Sequence, residues 1–580
     1  MPQIHDLLLA LKRKSFDLTK KTSGLTQARI WFALSMLYAA VCAALALRQA
    51  LAAKYVLAAD VRQHVFWMFR FLDPKLFPND PIADYFQSIA PPGFAALYRL
   101  LAGVGIDPLL ASKLIPAVLG LLAAGYLFGT ALCILRTPAA AALATILLCQ
   151  TLWLSSDLCS ATPHAFFYPL FTAFLYYHVN GRRLAVLITI LLQNLFFPPG
   201  ALVSLGVVAL DLVRFRKTRP RLSREPLDYL LCAVALAVTL LTLFPYLHTA
   251  KRFGPLVSYH EARLMPEFAP GGRVPFFYPD FWNYWVHGSG GLHIQSRPSW
   301  LFAGFLWPIL AAFPRAFPLL KGMSAGVRPL LQVVGSSLVV FAISHAVLFH
   351  LYLPSRYTQH PGRILLALAA GGVIVAIADS LLRWCKAQEA RVRSANAALA
   401  LTTALLLWIV LFPMFLSQFP RVNYITGAAP DLYEFFAAQS ATTRIASLAD
   451  EANNLPVFCH RSIIFGVETA VPFHRGYYPA LHQRGVTIAR AQYSSDLALI
   501  QQCLRDQHID FWLLDQGAFT PDYVKENRAL RQLREVVPNI SSGTTPLFQQ
   551  PPRQCVVFAN RRFVVLDTRA LLSLPKGLSP

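Results

Sequence analysis

Asp60 and His64 lie one helical turn apart, directly after the first long apolar run of the chain. Residues four apart on a helix share one face, so the two side chains would point into the same space. A positioned carboxylate can act as a general base, and an imidazole beside it can orient it. Arg62 would lie about 200° round such a helix and would not neutralise Asp60. The alternative is that Asp60 only caps the helix.

A short predicted loop, 354 to 362, and its flanks supply cationic candidates for binding a substrate. Arg356 and Arg363 stand at its two ends, with Tyr357 beside the first. Because a guanidinium binds phosphate oxygens bidentately, the two arginines predict a contact with a lipid phosphate. The alternative is ordinary binding of phospholipid head groups. Arg263 is a further candidate, in a longer loop rich in aromatic residues that suit a sugar, a lipid head group or a membrane aromatic belt.

Evidence for a metal site in the sequence is weak. Asp80 and Asp84 are four residues apart and could hold a divalent cation. The favoured interpretation is that Asp80 caps a helix whose first residue is Pro81. The nine cysteines form no CxxC pair and no cluster at zinc spacing. No cofactor is predicted with certainty, and a divalent cation stays open.

Long apolar helices must position these residues. Hydrophobic residues make up 56% of the chain and charged residues 14%, which excludes a soluble globule for most of it. A helix needs about 20 apolar residues to cross a bilayer. Eleven candidate spans fall near residues 30–51, 109–135, 138–154, 163–180, 184–197, 199–213, 227–249, 299–319, 329–353, 363–382 and 397–417.

The distribution of Lys and Arg predicts the orientation, since basic short loops stay in the cytoplasm. A basic N-terminal segment, residues 1 to 28, would lie inside. A multispan region would cover residues 29 to 417, with outer loops 52 to 108 and 250 to 298. This arrangement accounts for the net charge of +23 without nucleic-acid binding.

Residues 418 to 580 change in character and predict an extracytoplasmic α/β domain. Apolar runs shorten, and the segments 462–467, 510–514 and 562–567 are typical of buried strands. Helical stretches are expected near 431–439 and 494–506. Three cysteines fall in this region, at 459, 503 and 555, and an oxidising compartment would permit one disulfide among them.

The chain resembles the GT-C class of membrane glycosyltransferases, and most closely the uncharacterised bacterial multispan proteins grouped with it. The residues that carry the resemblance are Asp60 with Arg62 and His64, Phe77-Pro78-Asn79-Asp80, Thr162-Pro163-His164, Phe197-Pro198-Pro199, Pro354-Ser355-Arg356-Tyr357, Arg461-Ser462 and Gly476-Tyr477-Tyr478. The WWD-type signature of oligosaccharyltransferases and a clear DxD motif are both absent.

The resemblance implies transfer of a sugar from a polyprenyl-phosphate-linked donor to an acceptor at the outer face of a bacterial cytoplasmic (inner) membrane. Asp60 would be the catalytic base, with His64 beside it. The implied partners are the lipid-linked donor and membrane lipids. Two alternatives stay open: a transporter or flippase for a lipid-linked or small polar substrate, and a non-catalytic protein of envelope polysaccharide assembly.

Overall fold

The computed structural model describes residues 25–216, 219–294, 297–323, 326–387, 392–533, 535–536 and 545–575. The N-terminal segment predicted to be cytoplasmic lies almost wholly outside the described residues. The helices up to residue 411 are α1 (Leu25–Ala50), α2 (Val61–His64), α3 (Pro81–Ile89), α4 (Pro92–Gly103), α5 (Pro108–Leu135), α6 (Pro138–Leu154), α7 (Phe167–Val179), α8 (Arg183–Phe196), α9 (Pro198–Asp211), α10 (Pro226–Thr249), α11 (Tyr259–Leu264), α12 (Trp307–Ala311), α13 (Pro318–Met323), α14 (Arg328–Ala346), α15 (Arg356–Ala387) and α16 (Val392–Leu411).

Six of these helices are long and apolar enough to cross a membrane. They are α1, α5, α10, α14, α15 and α16. The chain is therefore a mostly helical, multi-pass membrane protein. At four of the other predicted spans the helices are shorter, between the 13 residues of α7 and the 17 of α6, and at 299–319 an 8-residue 3₁₀ helix leads into the 5 residues of α12. At 1.5 Å per residue these fall short of a hydrocarbon core about 30 Å thick. The count of eleven spans stays a prediction.

Short irregular helices connect the long ones. The 3₁₀ segments include Phe66–Phe71, Pro163–Phe166, Ser299–Leu306 and Phe412–Phe415, and a π-helical turn covers Trp282–His287. After Asp60 the chain forms only one short helix, α2, which ends at His64, and a 3₁₀ helix follows. Four consecutive residues of that 3₁₀ helix, 66 to 69, are buried, so this segment packs on every side.

The C-terminal region is an α/β domain, as predicted. Its helices are α17 (Pro430–Ala437), α18 (Leu455–Phe458), α19 (Tyr478–Gln492), α20 (Leu497–Gln507), α21 (Pro521–Glu526), α22 (Arg528–Gln532) and α23 (Thr568–Leu572). The strands of the whole chain are β1 (Val56–Ala58), β2 (Val213–Arg216), β3 (Arg219–Leu222), β4 (Tyr424–Thr426), β5 (Arg444–Ser447), β6 (Ser462–Ile463), β7 (Phe511–Asp515), β8 (Val556–Ala559) and β9 (Phe563–Asp567).

A five-stranded sheet in the order β6-β5-β7-β9-β8 forms the centre of this domain. Strands β5, β6 and β7 are parallel, while β9 runs antiparallel to both β7 and β8. The three cysteines of the domain, Cys459, Cys503 and Cys555, are buried and free. The disulfide that an oxidising compartment would permit is therefore not formed among these three thiols in the structure.

The first loop joins the helical bundle to the C-terminal domain. Its strand β1 pairs with β4 in an antiparallel two-stranded sheet. On α3, the Tyr85 ring stacks on Tyr477 with centroids 3.6 Å apart, and its hydroxyl lies 2.9 Å from Nδ1 of His474. The segment after α10 also reaches this domain, through a bridge between Leu256 and His474. We call this end of the bundle the domain end.

Candidate active site

Asp60 lies at the domain end, where the first loop enters α2. It occupies the N-cap position with φ −71° and ψ −14°, and its side chain makes no capping hydrogen bond. Only its backbone carbonyl takes part, accepting hydrogen bonds from the amides of Gln63 (3.1 Å) and His64 (3.0 Å). Among the described residues the carboxylate has no hydrogen-bond or ion-pair partner. The capping alternative therefore does not describe this carboxylate.

The two arginines nearest in sequence are neutralised elsewhere. Arg62 is buried and places Nη2 3.1 Å from Oε1 of Glu468, in the C-terminal domain. Arg70 places Nη1 2.9 Å from Oδ1 of Asp84, on α3. The helical-wheel argument that Arg62 leaves Asp60 free thus agrees with the geometry, and the negative charge of Asp60 stays available.

His164 is the group that Asp60 and Arg356 both approach. It lies in the 3₁₀ turn before α7, outside the apolar helices, and its Nδ1 is 3.1 Å from Oγ1 of Thr162. Burial lowers the pKa of His164 to about 4; the charge of Asp60 opposes this shift, while Arg356 and His64 add to it. Asp60, Arg356 and His64 therefore all act electrostatically on this imidazole.

The imidazole of His64 contributes a second neutral ring to the site. Burial lowers its pKa as well, and Asp60 opposes the shift. No hydrogen bond joins His64 to Asp60 in the described structure, so the two share the site without the direct orienting contact that the spacing suggested. Both His64 and His164 are uncharged at pH 7 and can donate or accept hydrogen bonds without neutralising Asp60.

Arg356, the first residue of α15, supplies the positive charge. It is half-buried and, within the described ranges, its guanidinium makes no hydrogen bond or ion pair. Burial is the main cause that lowers the pKa of His293, and the charge of Arg356 lowers it further. The loop carrying His293 is fastened to the start of α15: Ser355 donates its amide to the carbonyl of Ser289 (3.2 Å), and Thr358 donates its hydroxyl to that of Leu292 (2.8 Å). The large loop and the start of α15 therefore meet here.

Three other predicted binding residues lie elsewhere. Tyr357 is buried and donates its hydroxyl to the carbonyl of Leu351 (2.7 Å), so that hydroxyl is already used within the fold. Arg363 is buried in an ion pair with Asp157 and does not present its full charge to a ligand. Arg263 is exposed on α11, and in the described structure it contacts none of the groups round His164. Of the predicted cations, Arg356 is the one that acts on His164 together with Asp60.

The carboxylates proposed as weak metal ligands have structural partners instead. Asp80 caps α3 by accepting hydrogen bonds from the amides of Ile82 (2.8 Å) and Ala83 (3.3 Å). Asp84 forms ion pairs with Arg70 and, at 2.7 Å, with Arg252. No group of three or more His, Cys, Asp or Glu side chains among the described residues is placed to hold a metal ion.

The sequence reasoning did not give His164 or His293 a role. His164 follows a proline just before an apolar helix, and His293 follows a glycine run in the large loop. Arg356 and His360 are four residues apart and would share a helical face, and this spacing could have indicated that a histidine lies near Arg356. His360 is fully buried, and its Nδ1 lies 2.8 Å from the hydroxyl of Tyr168.

Acidification is expected to destabilise the protein as the pH falls from about 6.5 to about 4. An unfolded histidine binds its proton near pH 6.5, whereas folded His164 binds it at about 4. In this window the unfolded state takes up more protons, so stability is lost as the pH falls. Thermal unfolding in detergent should show a shallower pH dependence for His164→Asn than for the wild type; identical slopes would contradict the neutral buried imidazole.

Comparison with known proteins identifies the fold. No protein-family model matches the chain, and no curated protein matches its sequence. The crystal structure of the Archaeoglobus fulgidus oligosaccharyltransferase in the apo form is 13% identical to this chain in sequence and has a TM-score of 0.50. The match covers 89% of this chain and 73% of the oligosaccharyltransferase chain. The same organism's oligosaccharyltransferase AglB, in complex with an inhibitory peptide and a dolichol-phosphate, is 11% identical with coverages of 87% and 72% and a TM-score of 0.50.

A third similar structure is the cryo-EM structure of the arabinofuranosyltransferase AftD from mycobacteria. It is 14% identical, covers 84% of this chain and 35% of its own, and has a TM-score of 0.46. The two Archaeoglobus structures share the chain's fold over most of its length. The GT-C-like fold predicted from the sequence is therefore confirmed.

Proposed function

We propose that this chain is a membrane glycosyltransferase. It transfers a sugar from a polyprenyl-phosphate-linked donor to an acceptor hydroxyl, and the reaction takes place at the domain end. The observation that carries the proposal is the carboxylate of Asp60, which has no side-chain partner among the described residues and acts on the pKa of His164, as the unpaired guanidinium of Arg356 also does. A base without a structural partner at the meeting point of several loops is typical of a reaction site.

The chemistry follows from these groups. Asp60 takes the proton of the acceptor hydroxyl while that oxygen bonds to the anomeric carbon. The bond from this carbon to the phosphate oxygen breaks, and its electron pair stays on the phosphate. General-base assistance of this kind contributes about 10²- to 10⁴-fold in rate. Arg356 stabilises the negative charge that develops on the leaving phosphate. No step in this scheme uses a metal ion.

The orientation of the chain follows the same proposal. The domain end, with residues 418 to 580, lies outside the cytoplasmic membrane of a bacterium, and residues 1 to 28 lie inside. Arginines cluster at the other end of the bundle, where Arg183 and Arg214 pair with Asp228 at 3.0 and 2.7 Å. Basic residues on one side support this orientation. The dolichol-phosphate bound to AglB supports a lipid phosphate as the carrier.

Sugar transfer by the purified protein in proteoliposomes tests the proposal. Polyprenyl-phosphate-linked sugars are supplied as donors with a mixture of acceptor glycans, and the release of free polyprenyl phosphate is measured together with the gain of sugar by an acceptor. We expect both products in equal amounts. Movement of intact donor between leaflets without release of free carrier would instead identify a flippase. If the protein neither transferred the sugar nor moved the donor, the remaining alternative would be an assembly protein.

Arg356→Ala is expected to lower kcat by about 10²- to 10³-fold, the usual effect of removing one group that stabilises a developing negative charge. Arg356→Lys should restore part of the rate, because it keeps the charge and loses the bidentate geometry. Since Arg356 has no ion-pair partner in the described structure, the melting temperature should not change. Unchanged turnover in Arg356→Ala would exclude this residue from the reaction.

A further inference from the structure

The large loop, residues 250 to 298, carries an exposed aromatic turn. A π-helical turn covers Trp282–His287, and none of these six described residues is buried. Phe281, directly before it, is 63% exposed, Trp282 is 65% exposed and Trp285 is 41% exposed. Single exposed apolar side chains are common on protein surfaces, whereas a contiguous apolar patch marks a surface that contacts a partner or a membrane. The turn is therefore a contact surface that the proposed reaction does not use.

This aromatic turn, Phe281 to His287, has an apolar side and a polar side. Hydrogen bonds from residue i to residue i+5 widen a π-helical turn, so residues four or five apart lie on nearly the same side. The apolar side consists of Phe281, Trp282, Trp285 and Val286. Asn283 and His287, also four apart, lie on the other side. A segment with one aromatic side and one polar side suits the boundary between a bilayer and water.

The aromatic turn lies against the end of a membrane span. Trp285 packs its ring on that of His345, with centroids 5.3 Å apart, and Nε2 of His345 lies 2.7 Å from the carbonyl oxygen of Gly290. His345 belongs to the last turn of α14, which is apolar enough to cross a membrane. On α14 the side chains of Leu338 and Ile343 are 47% and 48% exposed, so they face lipid. Tryptophan is enriched where such a surface ends, at the membrane–water interface.

The polar groups beside the rings are already used within the loop. Both carboxylate oxygens of Asp280 accept hydrogen bonds from Asn283, Oδ1 from its backbone amide at 2.8 Å and Oδ2 from its side chain at 2.9 Å. The carbonyl of Trp285 accepts a hydrogen bond from the amide of Leu292 at 2.8 Å. A site for a glycan needs placed polar groups that reach its hydroxyls, and the ring of Phe281 has none. The apolar side therefore fits lipid better than a glycan.

We propose that the aromatic turn anchors the large loop in the head-group region of the membrane at the domain end. An interfacial apolar side is buried about 5 to 10 Å into the boundary between head groups and acyl chains. Beyond the turn, the loop is fastened to the start of α15 by the hydrogen bonds from Ser355 to Ser289 and from Thr358 to Leu292. The anchor thus holds the large loop at the membrane surface, next to the helix that begins with Arg356.

Fluorescence quenching in proteoliposomes tests the anchor. Trp282→Phe keeps an aromatic ring and removes one indole, so the difference in emission between the wild type and this variant reports Trp282. We expect phosphatidylcholine brominated near the head group to quench this difference emission about twofold more strongly than phosphatidylcholine brominated near the chain ends. Iodide in the aqueous phase should quench it only weakly. Quenching by iodide and not by brominated lipid would overturn the proposal.

Two other occupants of the turn would give different results. If a mixture of glycans protected Trp282 from iodide and brominated lipid had no effect, the turn would be a sugar-binding surface. If neither iodide nor brominated lipid quenched the difference emission, a second protein would cover the turn. Either result would overturn the anchor. These measurements do not use sugar transfer, so the anchor and the proposed function succeed or fail separately.

Hydrogen exchange in nanodiscs provides a second test. Phe281→Ser/Trp282→Ser removes two exposed rings that pack edge-on against each other, with centroids 5.7 Å apart. Amides 281 to 292 should then exchange about tenfold faster, because the loop loses its attachment to the membrane. The control Leu499→Ser/Val557→Ser replaces side chains of the C-terminal domain that are 39% and 44% exposed, and it should leave exchange in the loop unchanged. Wild-type exchange in the first variant would contradict the anchor.

Discussion

Replacing Glu468 by Gln is expected to lower the free energy of unfolding by about 3 to 5 kcal/mol, the usual cost of breaking a buried ion pair, and to abolish sugar transfer. Glu468 is 7% exposed and lies between three arginines from different parts of the chain. Its Oε1 is 3.1 Å from Arg62 and 2.8 Å from Arg528, and its Oε2 is 2.9 Å from Arg273.

The expected size of this effect follows from the charges. Burial by itself would raise the pKa of Glu468, but the three arginines together hold it below its usual value, so the side chain is ionised. Glutamine would leave the buried guanidinium of Arg62 without an anion and close to two other cations. Arg62 lies on α2, two residues from Asp60. Without the charge of Glu468, α2 would lose the ion pair that attaches it to the C-terminal domain.

A surface ion pair between the same two regions provides the control. Glu434 lies 3.3 Å from Lys54, and both side chains are well exposed. Exposed pairs contribute about 0 to 1 kcal/mol, so Glu434→Gln should leave stability and transfer close to wild type. Thermal unfolding in detergent and transfer in proteoliposomes measure both effects. A Glu468→Gln protein as stable and as active as Glu434→Gln would contradict the buried cluster.

Local periodicity was enough to predict that Arg62 would not neutralise Asp60. The direction of a side chain on a short helix depends on neighbours in sequence, and α2 keeps Arg62 away from Asp60. The actual partner of Arg62 is Glu468, 406 residues further along. No spacing rule gives such a partner, because the pair exists only after the first loop and the C-terminal domain have docked.

The strands of the C-terminal domain also divide into those that the local sequence predicts and those that it does not. The apolar segments 510–514 and 562–567 correspond to β7 and β9, within one residue at each end. The predicted strand 462–467 is much shorter, since β6 ends at Ile463 and the chain then turns. Strand β8 was not expected, because its residues alternate between half-buried and exposed at the sheet edge. Burial on both faces gives a strong sequence signal, and an edge strand gives a weak one.

The site residues stay a prediction. Asp60 and Arg356 were selected for residue type and position, and the side chains of both are without a hydrogen-bond or ion-pair partner in the described structure. Arg363 and Tyr357 have the same residue types but are used internally, by Asp157 and by the carbonyl of Leu351. An arginine stays without an ion-pair partner only if no carboxylate from another segment reaches it. The sequence of one loop does not contain that information.

Asp60→Asn is expected to lower sugar transfer by about 10²- to 10⁴-fold, because the amide cannot accept the proton of the acceptor hydroxyl. The two side chains have the same shape, and the carboxylate makes no hydrogen bond in the described structure. Expression, melting temperature and KM for the donor should therefore stay at their wild-type values. The loss should appear in kcat alone.

Asp73→Asn provides the matched control in the same loop. Asp73 is exposed, and its Oδ1 accepts a hydrogen bond from the amide of Lys75 at 2.9 Å. The decisive measurement is the rate at which free polyprenyl phosphate is released in proteoliposomes containing wild type, Asp60→Asn or Asp73→Asn. We expect wild-type release by Asp73→Asn and about 1% or less by Asp60→Asn. Release by Asp60→Asn at the wild-type rate would contradict this expectation.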